Sequence, residues 1–309
     1  MKHTFKIFFV SVLVAATVFS CKTDKTAGAD EEEETLTSGK ATILVDNTLQ
    51  PVAEDVLAVF HSVYERAHIT QVNKTETELV NDLLSNKGSV AVMPRLLTDK
   101  ENAYFRKRKI TPHITQFATD AIAFITNKSA KDSVVELEEV LKVIKGQPSA
   151  KVQKLVFDNA NSSTVQYLLK EAGVKQVPSQ NVFSLKTNEE VIRYVHETPG
   201  AIGIVGVNWL SQPSAAMAKL VSDITVLAVD NVKIDKGVKK YYKPTQSNIA
   251  TGSYPLTRKL YVLNYSAKDG LGMGFATYIG AHEGQRIILK TGLLPVTLPS
   301  REIEVQTGL

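Results

Sequence analysis

The sequence has few of the residues and motifs on which catalytic and metal sites depend. Its 309 residues include one cysteine, Cys21, and six histidines. A single cysteine excludes an internal disulfide and a cysteine-rich zinc site. No GxSxG, HExxH or GxxxxGK[ST] motif is present, and no nucleophile and base can be paired. We therefore expect that the protein is not an enzyme and that it binds no metal and no cofactor.

The chain also lacks a large excess of charge of either sign. It has 36 basic and 32 acidic side chains, and two of the lysines lie in an N-terminal segment that we expect to be removed. The basic cluster RKRK at residues 106–109 has no aromatic residues between its charges. It is typical of a solvated helix end, so we expect no nucleic-acid partner.

The N-terminal apolar run, residues 7–19, is too short to span a bilayer comfortably. It follows two lysines, which is the pattern of a secretory signal, so we assign a signal peptide to residues 1–20. Cys21 comes next, and the sequence VFSC resembles a bacterial lipobox, in which the cysteine is lipidated. A plain signal peptide with a free cysteine is the alternative. A lipid anchor would place the protein in the cell envelope, on the periplasmic side of a membrane or at the cell surface.

Residues 21–40 are polar and contain the acidic run Asp30–Glu34. With almost no large apolar side chains, this segment cannot bury enough surface to fold, so we predict a lipidated tether. The acidic run resembles the export signals of some Bacteroidetes lipoproteins at the cell surface. A solvated spacer is the alternative.

From residue 41 onward, strand-like and helical patterns alternate. The predicted strands include TILV, GSVAVMP, AIAFITN, KLVF, AIGIVG and LYVLNY. The first predicted helix has one apolar face, formed by Val52, Val56, Val59, Phe60 and Val63. The last pattern, GFATYIGAHEGQRIILKTG, is predicted as one helix. This alternation predicts an α/β fold with largely parallel sheets.

Two of the helix starts are rich in hydroxyl and amide side chains. The first, VDNTLQPV, contains Thr48, and the second, NANSST, contains Asn161, Ser162, Ser163 and Thr164. In an open α/β sheet, ligands bind beyond the carboxyl ends of strands, where the free N–H groups of the following helices favour negative charge. A single polar helix start is most often only a cap, but two together indicate an anion site.

From about Thr42 to Val305 the chain resembles the phosphate-specific substrate-binding proteins of ABC transporters. The stretches that carry the resemblance are DNTLQPVAEDVLAVF, GSVAVMPRLLTDKE, NSST, TPGAIGIVG, YPLTRKLYVLNY and AHEGQRIILKTGLLPV. The resemblance implies a type II periplasmic-binding fold with two lobes, each a mostly parallel sheet flanked by helices. It places lobe one at residues 41–117 and 258–309, and lobe two at residues 118–257.

The same resemblance implies a set of ligand-binding residues. It assigns anion contacts to Thr48, Thr75, Ser162, Ser163 and Thr164, beside Asn161 in the same loop. Two positions depart from the family pattern: Asp158 lies where the family has an arginine, and Pro94 where it has a serine or aspartate. Arg95 is a candidate for the missing positive charge, with a surface residue after a strand as the alternative.

The resemblance predicts a lipid-anchored, monomeric solute-binding protein that captures a small oxyanion, phosphate first, for uptake through an ABC permease. The Asp158 and Pro94 departures leave an alternative open: a receptor-fold lipoprotein that no longer binds phosphate and acts as an accessory or scaffold of an envelope complex. A hydrolase is the third hypothesis for the function.

Overall fold

Strands and helices alternate along the chain, as the sequence pattern predicts. The computed structural model describes residues 34–235 and 237–300. Its strands are Gly39–Asp46 (β1), Ala67–Lys74 (β2), Val90–Met93 (β3), His113–Asn127 (β4), Val134–Val135 (β5), Lys154–Phe157 (β6), Val182–Ser184 (β7), Ala201–Gly206 (β8), Ile224–Val226 (β9), Ala228–Asp230 (β10), Tyr241–Tyr242 (β11), Thr257–Asn264 (β12) and Leu294–Pro295 (β13). A 3-10 turn, Asn47–Leu49, precedes the α-helices, which are Gln50–Val63 (α1), Glu76–Leu84 (α2), Asp99–Lys107 (α3), Leu137–Ile144 (α4), Ser163–Ala172 (α5), Asn188–Glu197 (α6), Asn208–Ser211 (α7), Ala215–Ser222 (α8), Gln246–Ala250 (α9), Leu271–Gly280 (α10) and His282–Lys290 (α11).

Two long strands, β4 and β12, cross the middle of one mixed sheet. Its strand order is β2-β1-β3-β12-β4-β8-β6-β7. β1 pairs in parallel with β2 and β3 on one side, and β6 pairs in parallel with β7 and β8 on the other. β4 and β12 run antiparallel to each other and to their neighbours β8 and β3. The predicted two-lobed α/β fold, with a mostly parallel sheet in each lobe, is confirmed.

Each lobe covers both faces of its part of the sheet with helices. In the lobe that contains β1, one buried cluster joins α1 to α10, and a second lies under α2 and α3. In the lobe that contains β6, the two clusters lie under α4 and α5 and under α6 and α8. Because both faces are covered, a strand such as Val90–Met93 is apolar at every position and wholly buried. The predicted bounds of the lobes stay a prediction.

Two details differ from the sequence-based expectations. The C-terminal helix is broken into α10 and α11 at Ala281, whose backbone is extended. α11 approaches the end of α10 so closely that a Cβ on Gly284 would lie 2.3 Å from the Tyr278 carbonyl oxygen. On α1, Val59 and Val63 are exposed, and the core face instead comprises Val52, Ala53, Val56, Leu57 and Phe60.

In the part of the chain that the structure describes, no helix combines the length and apolar character needed to cross a membrane. The predicted signal peptide, Cys21 and most of the predicted tether lie outside the described residues.

Candidate functional site

The carboxyl end of β1 forms a compact polar turn. Asp46 Oδ1 accepts hydrogen bonds from the backbone N of Thr48 at 2.9 Å and from its Oγ1 at 2.6 Å. Both residues are buried. Pro51 follows in the first turn of α1, where backbone N–H groups have no partner within the helix, so the missing N–H of proline costs no hydrogen bond. The turn thereby fixes the Thr48 hydroxyl beyond the end of its strand.

The segment between β6 and α5 places hydroxyl groups at the start of a helix. Ser162 is the N-cap, and its Oγ accepts from the α5 backbone at 3.4 Å. One cap is enough for a helix, yet Ser163 and Thr164 are also buried, with 2% and 0% of their surface exposed. Asn161 instead is exposed, and its backbone N donates to Asn159. Ser163 and Thr164 therefore carry buried hydroxyls that do not cap the helix.

The two polar helix starts meet across the lobes. Thr48 Oγ1 lies 3.0 Å from Ser163 Oγ, although 115 residues separate them in the sequence. Ser163 Oγ also donates to Asp46 Oδ1 at 2.9 Å. The sequence-based prediction assigned these hydroxyls to one anion site, and the structure brings Thr48, Ser163 and Thr164 together.

A buried guanidinium, that of Arg258, lies among these hydroxyls. Arg258 on β12 and Asp120 on β4 are cross-strand partners, and their side chains form an ion pair with Nη2 2.5 Å from Oδ2. Arg258 Nη1 donates to Ser163 Oγ at 3.0 Å and to Thr164 Oγ1 at 3.4 Å. Its Nη2 also lies 3.4 Å from Thr48 Oγ1. One positive charge thus contacts hydroxyl groups from both lobes.

Carboxylates outnumber this positive charge. Asp46, Asp120 and Asp158 are all buried, and Arg258 is the cation whose charge acts on each of them. Burial raises the pKa of Asp46 and Asp158 above the usual value of an aspartate, and hydrogen bonds together with Arg258 offset only part of this effect. Within residues 34–235 and 237–300, no group of three or more acidic, histidine or cysteine side chains has a geometry that could hold a metal ion.

Several buried acceptors in this region have no donor at normal hydrogen-bond geometry within the described residues. They are Asp46 Oδ2, Asp120 Oδ1, Asp158 Oδ1, Asn188 Oδ1 and Asn208 Oδ1. Asp158 Oδ2 accepts a hydrogen bond from Asn188 Nδ2 at 3.3 Å. In this pair of side chains, the two Oδ1 atoms are the ones left without a partner among the described residues. A site lined by unpaired acceptors favours a ligand that can donate hydrogen bonds as well as accept them.

The lobe that contains β6 also forms hydrogen bonds to the backbone of the Thr48 turn. The Thr48 carbonyl oxygen accepts from Asn208 Nδ2 at 3.1 Å and from Trp209 Nε1 at 3.0 Å. Trp209 is the only tryptophan of the chain. These two donors follow β8, so the carboxyl ends of β1, β6 and β8 all contribute to one cluster.

Thr75 and Arg95 make local contacts instead of joining this cluster. Thr75 caps α2, where its Oγ1 donates to Glu78 at 2.8 Å. Arg95 forms ion pairs with Glu76 at 2.8 Å and with Glu101 at 2.9 Å. Its charge is therefore neutralised by two carboxylates of its own lobe.

Sequence reasoning missed Asp46, Asp120, Arg258, Asn208 and Trp209. A signal for two of them was present. Arg258, Leu260 and Val262 are two residues apart along β12, so they lie on the same face of the strand. The strand period therefore places the charge of Arg258 on the buried face. Asp120 likewise interrupts an apolar strand. Opposite charges in two apolar strands indicate a buried pair.

The fold and site define a two-lobed binding protein, and comparison with known proteins identifies the family. A model of the PBP superfamily domain matches residues 30–283, so the chain belongs to this superfamily. It is 21% identical over 313 residues to the phosphate-binding protein PstS of Borreliella burgdorferi, covering 94% of this chain and 98% of that protein. It is 23% identical over 297 residues to PstS of Bacillus subtilis, covering 93% and 91%.

Solved structures share the same fold. A putative phosphate ABC transporter substrate-binding protein with bound phosphate from Clostridium perfringens has a TM-score of 0.65 at 17% identity, covering 84% of this chain and 100% of that one. An ABC-type phosphate transport receptor from Vibrio cholerae has a TM-score of 0.61 at 17% identity, covering 83% and 100%. At such identities these structures establish the fold. The predicted resemblance to phosphate-specific substrate-binding proteins is confirmed.

The raised pKa of Asp158 predicts how pH affects stability. The folded state holds the Asp158 proton more tightly than the unfolded state, so the free energy of unfolding falls as pH rises from 3.8 through the folded pKa. An asparagine can accept from Asn188 Nδ2 and donate to Asn188 Oδ1. We expect Asp158→Asn to raise the free energy of unfolding by about 1 kcal/mol at pH 7.5, the order of one unsatisfied buried group, and to flatten its pH dependence.

Urea unfolding of the purified protein between pH 4 and pH 8 checks this expectation. Asp132→Asn removes an exposed carboxylate and serves as the matched control. A variant less stable than the parent at pH 7.5, or one with the same pH slope, would show that Asp158 is a satisfied turn residue.

Proposed function

We propose that the protein captures a small oxyanion, phosphate first, in the cleft between its lobes. The relatives from Borreliella burgdorferi and Bacillus subtilis bear the name phosphate-binding protein, and the Clostridium perfringens neighbour contains bound phosphate. The protein would act as the lipid-anchored receptor of an uptake system, with an ABC permease or another envelope complex as its partner. It would be a monomer and would catalyse no reaction.

One observation carries the proposal: a buried guanidinium meets hydroxyl groups that come from both lobes. Arg258 contacts Ser163 and Thr164 on one side and Thr48 on the other. Guanidinium groups bind oxyanions through charge-assisted hydrogen bonds, which are about twice as strong as neutral ones. The N-terminus of α5 adds the favourable end of a helix dipole. An anion held here would contact both lobes and hold the hinge in its closed arrangement.

The surplus of carboxylates limits which anions can bind. A fully ionised anion such as sulfate offers no proton to the unpaired oxygens of Asp46, Asp120 or Asp158. A protonated phosphate oxygen can donate to one of them and convert repulsion into a hydrogen bond. We therefore propose that the cleft selects phosphate over sulfate, with Asp158 among the candidate acceptors.

A second candidate function rests on the same carboxylates. Three aspartates around one guanidinium form an unfavourable setting for any anion. A receptor-fold lipoprotein that has lost phosphate could serve as an accessory or scaffold of an envelope complex. Absence of phosphate and sulfate binding in titration calorimetry would favour this candidate.

The Thr164 hydroxyl provides a selective test of phosphate binding. It accepts from Arg258, and its own proton has no acceptor in the hydrogen bonds of the described residues. Thr164→Val keeps the shape of the side chain and removes this donor. We expect phosphate to bind about tenfold more weakly, which corresponds to about 1.4 kcal/mol, as measured by titration calorimetry.

The control for this test is Thr70→Val, which makes the same change at an exposed position of β2. We expect Thr70→Val to leave the phosphate affinity unchanged and sulfate to bind the parent protein more weakly than phosphate. Equal phosphate affinities of Thr164→Val and the parent would remove Thr164 from the site.

The lipid anchor is tested at Cys21, which follows the apolar run in the sequence VFSC. We expect Cys21→Ala to abolish metabolic labelling with palmitate, because the sulfur of Cys21 is the atom that would carry the lipid group. The parent protein, expressed in the same cells, is the positive control. Labelling of Cys21→Ala equal to that of the parent would contradict the lipoprotein assignment.

A further inference from the structure

A carboxylate of the chain itself occupies the hydrogen-bond donors of the cleft. Asp46 Oδ1 accepts from Thr48 N at 2.9 Å, from Thr48 Oγ1 at 2.6 Å and from Ser163 Oγ at 2.9 Å. The two hydroxyls are among those that we assign to phosphate. A carboxylate oxygen presents to them the same negative charge and acceptor lone pairs as a phosphate oxygen.

The bond between Asp46 and Ser163 also joins the two lobes. Asp46 ends β1 in one lobe, and Ser163 begins α5 in the other, 117 residues further along the chain. Asp46, Thr48 and Ser163 have at most 2% of their surface exposed. The lobes therefore meet around an anionic group that belongs to the protein.

We propose that Asp46 is an internal competitor of the ligand, which closes the cleft without phosphate and lowers the affinity of the cleft for it. This inference rests on the proposed function. A serine hydroxyl has one proton, so Ser163 Oγ cannot donate to Asp46 and to phosphate at the same time. Phosphate must displace the Asp46 carboxylate from Ser163, and it must do so against the charge of that carboxylate. The apparent affinity for phosphate is the intrinsic affinity multiplied by the fraction of molecules in which Ser163 is released from Asp46.

The opposite role for Asp46 makes the opposite prediction. Asp46 Oδ2 has no partner in the described residues, so it could accept a hydrogen bond from a protonated phosphate. If Asp46 is such a ligand, removing its charge weakens binding. If Asp46 is a competitor, removing its charge strengthens binding.

The decisive experiment is phosphate titration calorimetry of the parent protein and of Asp46→Asn. The asparagine oxygen can still accept from Thr48 N and preserve the turn, while its amide group donates where a carboxylate repels. We expect Asp46→Asn to bind phosphate about tenfold more tightly. Asp46→Ser, which also retains a turn-capping oxygen without charge, provides a second variant should the first be unstable. Asp132→Asn is the matched surface control, with unchanged affinity.

Small-angle scattering gives a second readout of the same variants. We expect the parent protein to have the same radius of gyration with and without phosphate, and Asp46→Asn to be larger without phosphate and to contract when it is added. If the parent protein binds phosphate and both Asp46 variants bind it equally or more weakly, Asp46 is not a competitor of the ligand. The proposed function would then still hold. No binding by the parent or by either variant would overturn the proposed function, and this inference with it.

Discussion

The ion pair between Arg258 and Asp120 organises the centre of this molecule. It joins β12 to β4 in a region where both side chains are almost completely buried, at 1% and 0% exposure. A buried pair of this kind is costly to desolvate and is weak evidence for stability. Its effect is geometric: by holding Nη2 of the guanidinium, Asp120 directs Nη1 towards the hydroxyls of α5. The contact that we propose between Arg258 and the anion depends on this orientation.

Several contacts between the lobes involve one short segment, residues 46–48. Ser163 donates to the Asp46 side chain, and Asn208 and Trp209 donate to the Thr48 carbonyl oxygen. This turn, which follows β1, is therefore one part of its lobe that the other lobe contacts. Because this segment provides interlobe contacts and a hydroxyl that we propose as a ligand contact, the proposed function couples closure of the lobes to occupation of the cleft.

The alternation of strands and helices was predictable because the spacing of apolar residues along the sequence differs between a strand and a helix. The break between α10 and α11 was not, because the apolar pattern continues through it and the close approach at Gly284 is a tertiary contact. The hydroxyl-rich helix starts were likewise visible in the sequence, whereas Thr75 and Arg95 proved to make local contacts. The pairing of Arg258 with Asp120 spans 138 residues, and no local pattern specifies which distant charge a buried arginine meets.

If phosphate and Asp46 compete for the same donors between the lobes, phosphate binding must break the bond between Ser163 and Asp46. A crystal structure of the protein grown at saturating phosphate tests this competition. We expect a tetrahedral anion in contact with Arg258, Thr48 and Ser163, with the hydrogen bond between Ser163 and Asp46 broken. An anion bound elsewhere, or an intact bond between Ser163 and Asp46 with phosphate bound, would contradict it.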